Sequence, residues 1–490
     1  GLPLYIVTMC SQNMPGVVTL RGAGYTPPVS ASLTVTGLAS LMLAPFGGFA
    51  FNLAAITAAI CAGPEADDDP KSRYLSSVVA GVLYCLVGLG GGNTTSLREA
   101  AGHAAATARK KGDTSLALAF GNLDSASWHA VVEGVHEGSY VFDRYKAETS
   151  RKPALASVTV LGESDSSDGG IGTAIAAGRA LARDLVNEPA DAIYPETLAE
   201  AALALACDHI KVEVWDLARI EAAGMGGIVA VGKGSDREPR FIHLTYTPSG
   251  KARRKLGLVG KGVTYDAGGL NLKPGAGLQT MRCDMAGSAA VIGVFRALAD
   301  LQPDVEVHGI IGAVENLLGG SAYKLGDVLQ ISNGKTVEVH NTDAEGRLVL
   351  SDCLHYASQL ELDAMVDIAT LTGACIVALG EHYTGLFTSD NALADELSAS
   401  ASSAGEGLWR LPLAERYRDK LKSEWADMKN VGGRPAGSIT AALFLSNFVE
   451  NTRWAHLDIA GPAFSDKATG HFASGGLGAM VPTLTRWIAS

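Results

Sequence analysis

The run LGLVGKGVTYDAGGLNLKPG, from Leu256 to Gly275, opens as an apolar strand and changes character at its glycines. Leu256, Leu258 and Val259 make a short uncharged run, as a strand buried on both faces requires. Gly260 and Gly262 predict that the strand breaks there into a glycine-rich loop. The loop would carry Lys261, Asp266 and Lys273. In an open α/β sheet, ligands gather at the C-terminal ends of the strands. This run therefore suggests both a fold class and a place to search for chemistry.

Working outward, the same alternation continues. TAIAAGRALARDLVNEPA (173–190) and GSAAVIGVFRALAD (287–300) read as helices, while VEVHGIIGAV (305–314) and AMVDIATLTGA (364–374) read as strands. Upstream, LYIVTM (4–9), VLYCLVGLGGG (82–92) and SLALAFG (115–121) read as strands. TSLREAAGHAAATARKKG (95–112) reads as a helix capped by Thr95 or Ser96 and stopped by Gly112. Strand, helix and strand in succession predict parallel α/β units. At 490 residues the chain exceeds one typical domain. The polar, glycine-rich GESDSSDGGIG (162–172) marks the expected boundary. We therefore expect an α/β protein with a smaller N-terminal α/β domain over 1–150. A larger C-terminal α/β domain over 165–490 should have a mixed central sheet flanked by helices.

The net charge of −12 argues against a nucleic-acid partner or an anionic membrane surface. The one basic cluster is KARRK (251–255). Seven cysteines, an odd number without a C-x-x-C pair, suggest reduced thiols and a cytoplasmic setting. Gly22–Pro64 carries no charge and is long enough to span a bilayer, but Pro45, Gly47, Gly48 and Asn52 interrupt it and no Lys/Arg cluster flanks it. It is read as globular core, and no membrane or signal peptide is expected.

The acidic residues carry the chemistry. Eleven residues beyond Lys273, MRCDMAGSAA (281–290) holds Asp284. NTDAEGRL (341–348) sets Asp343, Glu345 and Arg347 at alternate positions, on one side if the chain is extended. Two carboxylates so close repel unless a cation joins them. Asp266, Asp284, Asp343 and Glu345 sum to −4, which two divalent ions about 3.5–4 Å apart would neutralise. Oxygen donors, with one amine from Lys261, suit Zn or Mn, with Mg or Co also open. As a ligand Lys261 must lose its proton, at roughly 4–5 kcal/mol from a free pKa of about 10.4. A solvated, salt-bridged turn at 341–348 and surface pairs such as Lys261 with Asp266 remain open. GLGGGN (88–93) fits a tight turn or a weak phosphate site, since the third glycine of G-x-G-x-x-G is missing.

Taken together, these residues resemble the leucyl aminopeptidase (cytosol aminopeptidase) family of metallopeptidases. NTDAEGRL matches that family's signature in full, and GKGVTYDAGG resembles its G-K-G-x-x-F-D-x-G-G segment, with Tyr265 in place of the more usual Phe. LKP and DMAG fall in the family's order and spacing, and RDLVNEP, GMGGIVAVGKGSDREPRFIHLTY, DIATLTGA and WAHLDIAG also look like its framework. The likeness is strong over 165–490 and weak over 1–150.

The resemblance implies an enzyme that removes N-terminal residues of Leu type from peptides, using two divalent metal ions per subunit. A tighter metal site would use Lys261, Asp266, Asp284 and Glu345. An exchangeable site would use Asp266, Asp343 and Glu345. Lys273 would stabilise the oxyanion, and Arg347 would hold a bicarbonate. Met281, Thr370, Gly373 and Ala460 would line the pocket for the first side chain, with the Leu371 backbone orienting substrate; Met281 and Thr370 equally fit ordinary core positions. Ala463, where relatives often carry a bulkier residue, would leave room for Leu, Met or larger. A homo-hexamer is implied as well. The alternative is a non-catalytic scaffold, against which the intact ligand set argues.

Overall fold

The computed structural model describes residues 93–161 and 170–490. The readings made for 4–9, 22–64 and 82–92, and for most of the polar boundary, lie outside the described residues, as does the glycine turn apart from Asn93. The described residues form two compact units: 93–139 with 146–161, and 140–145 with 170–490.

In the first unit, helix α1 (Thr94–Lys111) leads into strand β1 (Ser115–Ala119), helix α2 (Ser125–Ser139) and strand β2 (Ser157–Leu161). β1 and β2 pair in parallel, from Ser115 opposite Ser157 to Ala119 opposite Leu161. The N-cap of α1 is Asn93, whose side chain accepts from Ser96 N, and not Thr95 or Ser96. An Asn side chain satisfies that free amide as well as a hydroxyl does. Gly112 ends the helix in the left-handed conformation, as expected.

The second unit is built on strands β3 (Ile210–Trp215), β4 (Arg240–Tyr246), β5 (Lys255–Asp266), β6 (Glu306–Asn316), β7 (Val328–Gln330), β8 (Thr336–Glu338), β9 (Ala364–Ala369), β10 (Tyr383–Phe387), β11 (Gly407–Arg410), β12 (Met428–Lys429) and β13 (Arg453–Asp458). Its main helices are α3 (Gly170–Asn187), α4 (Ala286–Leu301), α5 (Gly346–Ser358), α6 (Gly373–Leu379), α7 (Gly437–Leu445) and α8 (Val481–Ala489). Eight strands form a mixed sheet in the order β11-β10-β13-β9-β5-β6-β4-β3. β13, β9, β5 and β6 are mutually parallel, and antiparallel pairs join β10 to β13, β6 to β4 and β4 to β3. One face packs on α3, α4 and α8, the other on α5 and α7, each through a large apolar core. β12, β8 and β7 form a small separate sheet.

β5 differs from expectation. It does not break at Gly260 and Gly262 but runs on to Asp266. Those glycines serve close packing. A Cβ on Gly260 would lie 2.7 Å from Ser288 Cα, and one on Gly262 would lie 2.7 Å from the Gly312 carbonyl. A β-bulge between Val263 and Tyr265 shifts the register against β6 just before Asp266.

Three of the four basic residues at 251–255 are occupied internally. Arg253 and Arg254 donate to carbonyls at the end of α8, and Lys255 pairs with Glu306 at 3.4 Å. Cys207, Cys283, Cys353 and Cys375 are free thiols. No helix among the described residues is long and apolar enough to cross a membrane.

Candidate metal centre

The four central parallel strands deliver polar residues to the C-terminal end of the sheet. β5 brings Lys261 and Asp266, β6 brings Asn316, and β13 brings Asp458, while Thr370 follows β9 directly. Asp284 sits on the 3₁₀ turn Met281–Met285 that feeds α4. Asp343, Glu345 and Arg347 come from the turn that opens α5. The NTDAEGRL segment is therefore not extended: it turns through Thr342–Asp343, and Glu345 already has helical dihedrals. Asn430 holds the turn, accepting from His340 N at 2.8 Å and donating to the Asn341 carbonyl at 2.7 Å. Gly346 leaves room for the lysine: a Cβ there would lie 2.6 Å from the Lys261 ammonium nitrogen and would push that side chain aside.

All five expected metal-binding side chains meet. Lys261 Nζ lies 2.9 Å from Asp284 Oδ2 and 2.8 Å from Glu345 Oε1, and it donates to the Thr370 carbonyl at 2.9 Å. Lys273 Nζ lies 2.7 Å from Asp266 Oδ2 and 2.5 Å from Asp343 Oδ1. Carboxylate oxygens of Asp266, Asp343 and Glu345 lie within 4.8 Å of one another. Lys261, Asp266, Asp284 and Glu345 are each at most 5% exposed, whereas Asp343 is partly open. This rules out the solvated turn. It also rules out separate surface pairs, since Lys261 pairs with acids remote in sequence.

The electrostatics are those of a crowded acidic pocket. Burial pushes the Asp266 carboxyl up to about 6, and the nearby Glu345 charge adds to it. Burial likewise raises Asp284 well above the ordinary carboxylate range, and raises Asp343. Burial works against the Glu345 charge too, but Lys261 and Lys273 outweigh it and hold Glu345 low. Both lysines are raised: burial opposes their charge, and the surrounding carboxylates prevail. Burial lowers Arg347 to about 10, against the pull of Glu345 and Asp458.

The donor set fits divalent cations. Glu345 Oε2 is buried with no hydrogen-bond partner, and Asp284 Oδ2 and Asp343 Oδ1 meet only ammonium groups without hydrogen-bond geometry. Buried acceptors left in this state are costly unless something else satisfies them. Arg347 has the complementary defect. Nη1 donates to the Asn430 carbonyl at 2.7 Å, while Nε is buried without an acceptor, as an anion slot requires.

The residues expected to contact substrate lie at the same end of the sheet. Met281 begins the 3₁₀ turn, Thr370 and Leu371 follow β9, Gly373 begins α6 and Ala460 follows β13. Thr370 Oγ1 donates to Asp284 Oδ1 at 2.7 Å, which ties that wall to the acidic pocket. Ala463 is buried in the core.

Sequence reasoning missed Asn316, which donates to Asp266 Oδ1 at 2.8 Å and to the Thr342 carbonyl at 3.0 Å. It also missed Asn430, Asp458 and Tyr323, whose hydroxyl donates to the Thr342 carbonyl. The available signal was a polar residue closing an apolar strand, as in IIGAVEN and WAHLD.

Comparison with known proteins adds to this geometry. The profile of the cytosol aminopeptidase family, catalytic domain, matches residues 180–485, and that of the family's N-terminal domain matches 80–149. A different profile, benzoate membrane transport protein, matches residues 1–109. A probable cytosol aminopeptidase of Picosynechococcus sp. is 47% identical over 414 residues, covering 83% of this chain and 84% of that protein. Its counterpart in Acaryochloris marina is 48% identical over 416 residues, covering 82% and 84%. Among solved structures, a tomato leucine aminopeptidase variant is 38% identical with a TM-score of 0.75, covering 81% of this chain and 79% of that one. The bottromycin maturation enzyme BotP in complex with Mn is 37% identical with a TM-score of 0.74, covering 81% and 87%.

Proposed function

This chain belongs to the cytosol aminopeptidase family, and from that premise we propose that it is a dinuclear-metal aminopeptidase acting on peptides with an apolar, Leu-type first residue. The aminopeptidase activity and its dependence on metal follow from the family. What supports two metal sites is the meeting of Asp266, Asp343 and Glu345 oxygens within 4.8 Å, beside a buried Lys261 and Asp284. Lys261, Asp266, Asp284 and Glu345 would hold one cation, and Asp266, Asp343 and Glu345 the other. The partial exposure of Asp343 supports assigning it to the more exchangeable of the two. The relative solved with Mn supports Mn as one candidate, alongside Zn. Such a pair supplies Lewis acidity to the scissile carbonyl and to the attacking water.

The chain's own residues would do the rest. Lys273, the one partly exposed ammonium at the edge of the acids, would stabilise the developing oxyanion. Arg347, with its unsatisfied Nε, would hold a bicarbonate that carries the proton. The pocket for the first side chain would be lined by Met281, Thr370, Gly373 and Ala460, with the Leu371 backbone orienting the peptide. Domain assignments of 1–150 and 165–490, and a homo-hexamer, belong to the same proposal.

The test is a panel of p-nitroanilides on the full chain loaded with Mn²⁺ or Zn²⁺. Leucyl substrate should turn over best, chelation should abolish turnover, and N-acetyl-leucyl substrate should be inert. A clear preference for alanyl substrate would contradict the Leu-type pocket, and no turnover in the loaded chain would favour the scaffold alternative.

A second reading concerns residues 1–109, whose match to a membrane transport family favours a membrane-associated N-terminal stretch. The relatives are named cytosol aminopeptidases, which supports a cytoplasmic place for the catalytic portion. Fractionation separates the two: activity in the pellet of the full chain but not of a chain starting at residue 80 would favour membrane association.

A further inference from the structure

Asp458 closes β13, is 0% exposed, and has no role in the reaction as described above. Its carboxylate collects four hydrogen bonds. Oδ1 accepts from the backbone N–H of Leu371 at 3.3 Å, Thr372 at 3.5 Å and Ala460 at 3.1 Å. Oδ2 accepts from Thr372 Oγ1 at 2.6 Å. Thr372 Oγ1 itself accepts from Cys375 N at 3.0 Å as the N-cap of α6, so its single proton points at Asp458.

One carboxylate thus pins two segments that come from neighbouring parallel strands, the 370–373 loop after β9 and Ala460 after β13. These are two walls of the pocket proposed for the first side chain. We propose that Asp458 is a positioning residue that sets the distance between those walls and so selects the side chain the enzyme accepts. The inference rests on the pocket reading given under the proposed function. The physical reason is the charge. A buried carboxylate aligned by four donors forms charge-assisted bonds that hold geometry more firmly than neutral ones. Asn in its place offers one acceptor oxygen, and its amide N–H faces the Thr372 hydroxyl, whose buried proton then loses its acceptor.

The experiment uses the full chain loaded with Mn²⁺ and measures kcat, KM and metal content with leucyl-, phenylalanyl- and alanyl-p-nitroanilide. Asp458→Asn should raise KM for the leucyl substrate about tenfold and leave kcat within about threefold. The preference for leucyl over alanyl should shrink, with metal content unchanged. Thr372→Val, which removes the hydroxyl but keeps the shape, should move the same ratio in the same direction. Thr372→Ser should stay close to wild type. An unchanged Leu-to-Ala ratio in both Asp458→Asn and Thr372→Val, or an equal loss of kcat on every substrate, would overturn the proposal. If Asp458→Asn does not fold, the Thr372 pair decides by the same ratio. Ala460→Val serves as the control on the pocket: if it leaves side-chain preference unaltered, the pocket reading fails, and that failure is distinct from a silent Asp458.

Discussion

Two buried acidic regions of the catalytic unit differ in how their charge is satisfied. Asp352, on α5, is wholly enclosed, and fixed backbone donors meet both oxygens: Ile228 N at 3.0 Å on Oδ2 and Ser332 N at 2.9 Å on Oδ1. At the C-terminal ends of the central strands, Glu345 keeps an oxygen with no hydrogen-bond partner, and one oxygen each of Asp284 and Asp343 meets only an ammonium group. Burial raises Asp352 to about 6 and Asp266 to about 6, so the shift alone does not tell scaffold from site. The leftover acceptors do. A saturated buried acid holds loops together, whereas an unsaturated set has room for a cation.

The sharpest way to break that comparison is to mutate one acid from each region. Glu345→Gln should lower kcat/KM about a thousandfold or more and reduce bound metal, because it removes a charge shared by both proposed sites. Lys273→Met should lower kcat about a hundredfold with little change in KM if the lysine is the oxyanion donor proposed above. Stopped assays under saturating Mn²⁺ would read both.

The pH dependence separates the regions further. Asp266 and Asp352 both have a folded pKa above the ordinary 3.8. In the metal-free chain each therefore contributes stability that is full below about pH 4 and lost as pH rises through about 6. If Asp266 ligates a metal as proposed, binding needs its carboxylate and reverses the sign. The rise in Tm on adding Mn²⁺ should be larger at pH 7.5 than at pH 5, should persist in Asp352→Asn and should vanish in Glu345→Gln. The smallest effect on chemistry is expected from Asp352→Asn. It places an amide N–H against backbone donors and should cost about 2–3 kcal/mol of stability, while turnover per folded molecule changes less than about twofold.

The site was legible in the sequence where chemistry is written locally. Lys261 and Asp266 follow an apolar run among glycines, Asp284 stands shortly after them, and Asp343 and Glu345 are two residues apart, a pairing of like charges that calls for a counter-charge. The backbone route was less legible. Gly260 and Gly262 look like strand breakers, yet they remain in β5 because α4 and β6 approach too closely for a side chain. Alternation in NTDAEGRL suggested an extended chain, whereas Asn430, far along the sequence, folds it into a turn. Asn316 and Asp458 were missed for the same reason. Each is one polar residue after an apolar run, and only the parallel order β13-β9-β5-β6 shows that these run ends coincide.

The most direct test is metal content measured together with turnover, for the wild-type chain and Asp284→Ala, with circular dichroism to confirm folding. The account predicts two divalent ions per wild-type chain, with the folded variant losing at least one of them and nearly all of its activity. A folded variant that kept both ions and the full rate would contradict it.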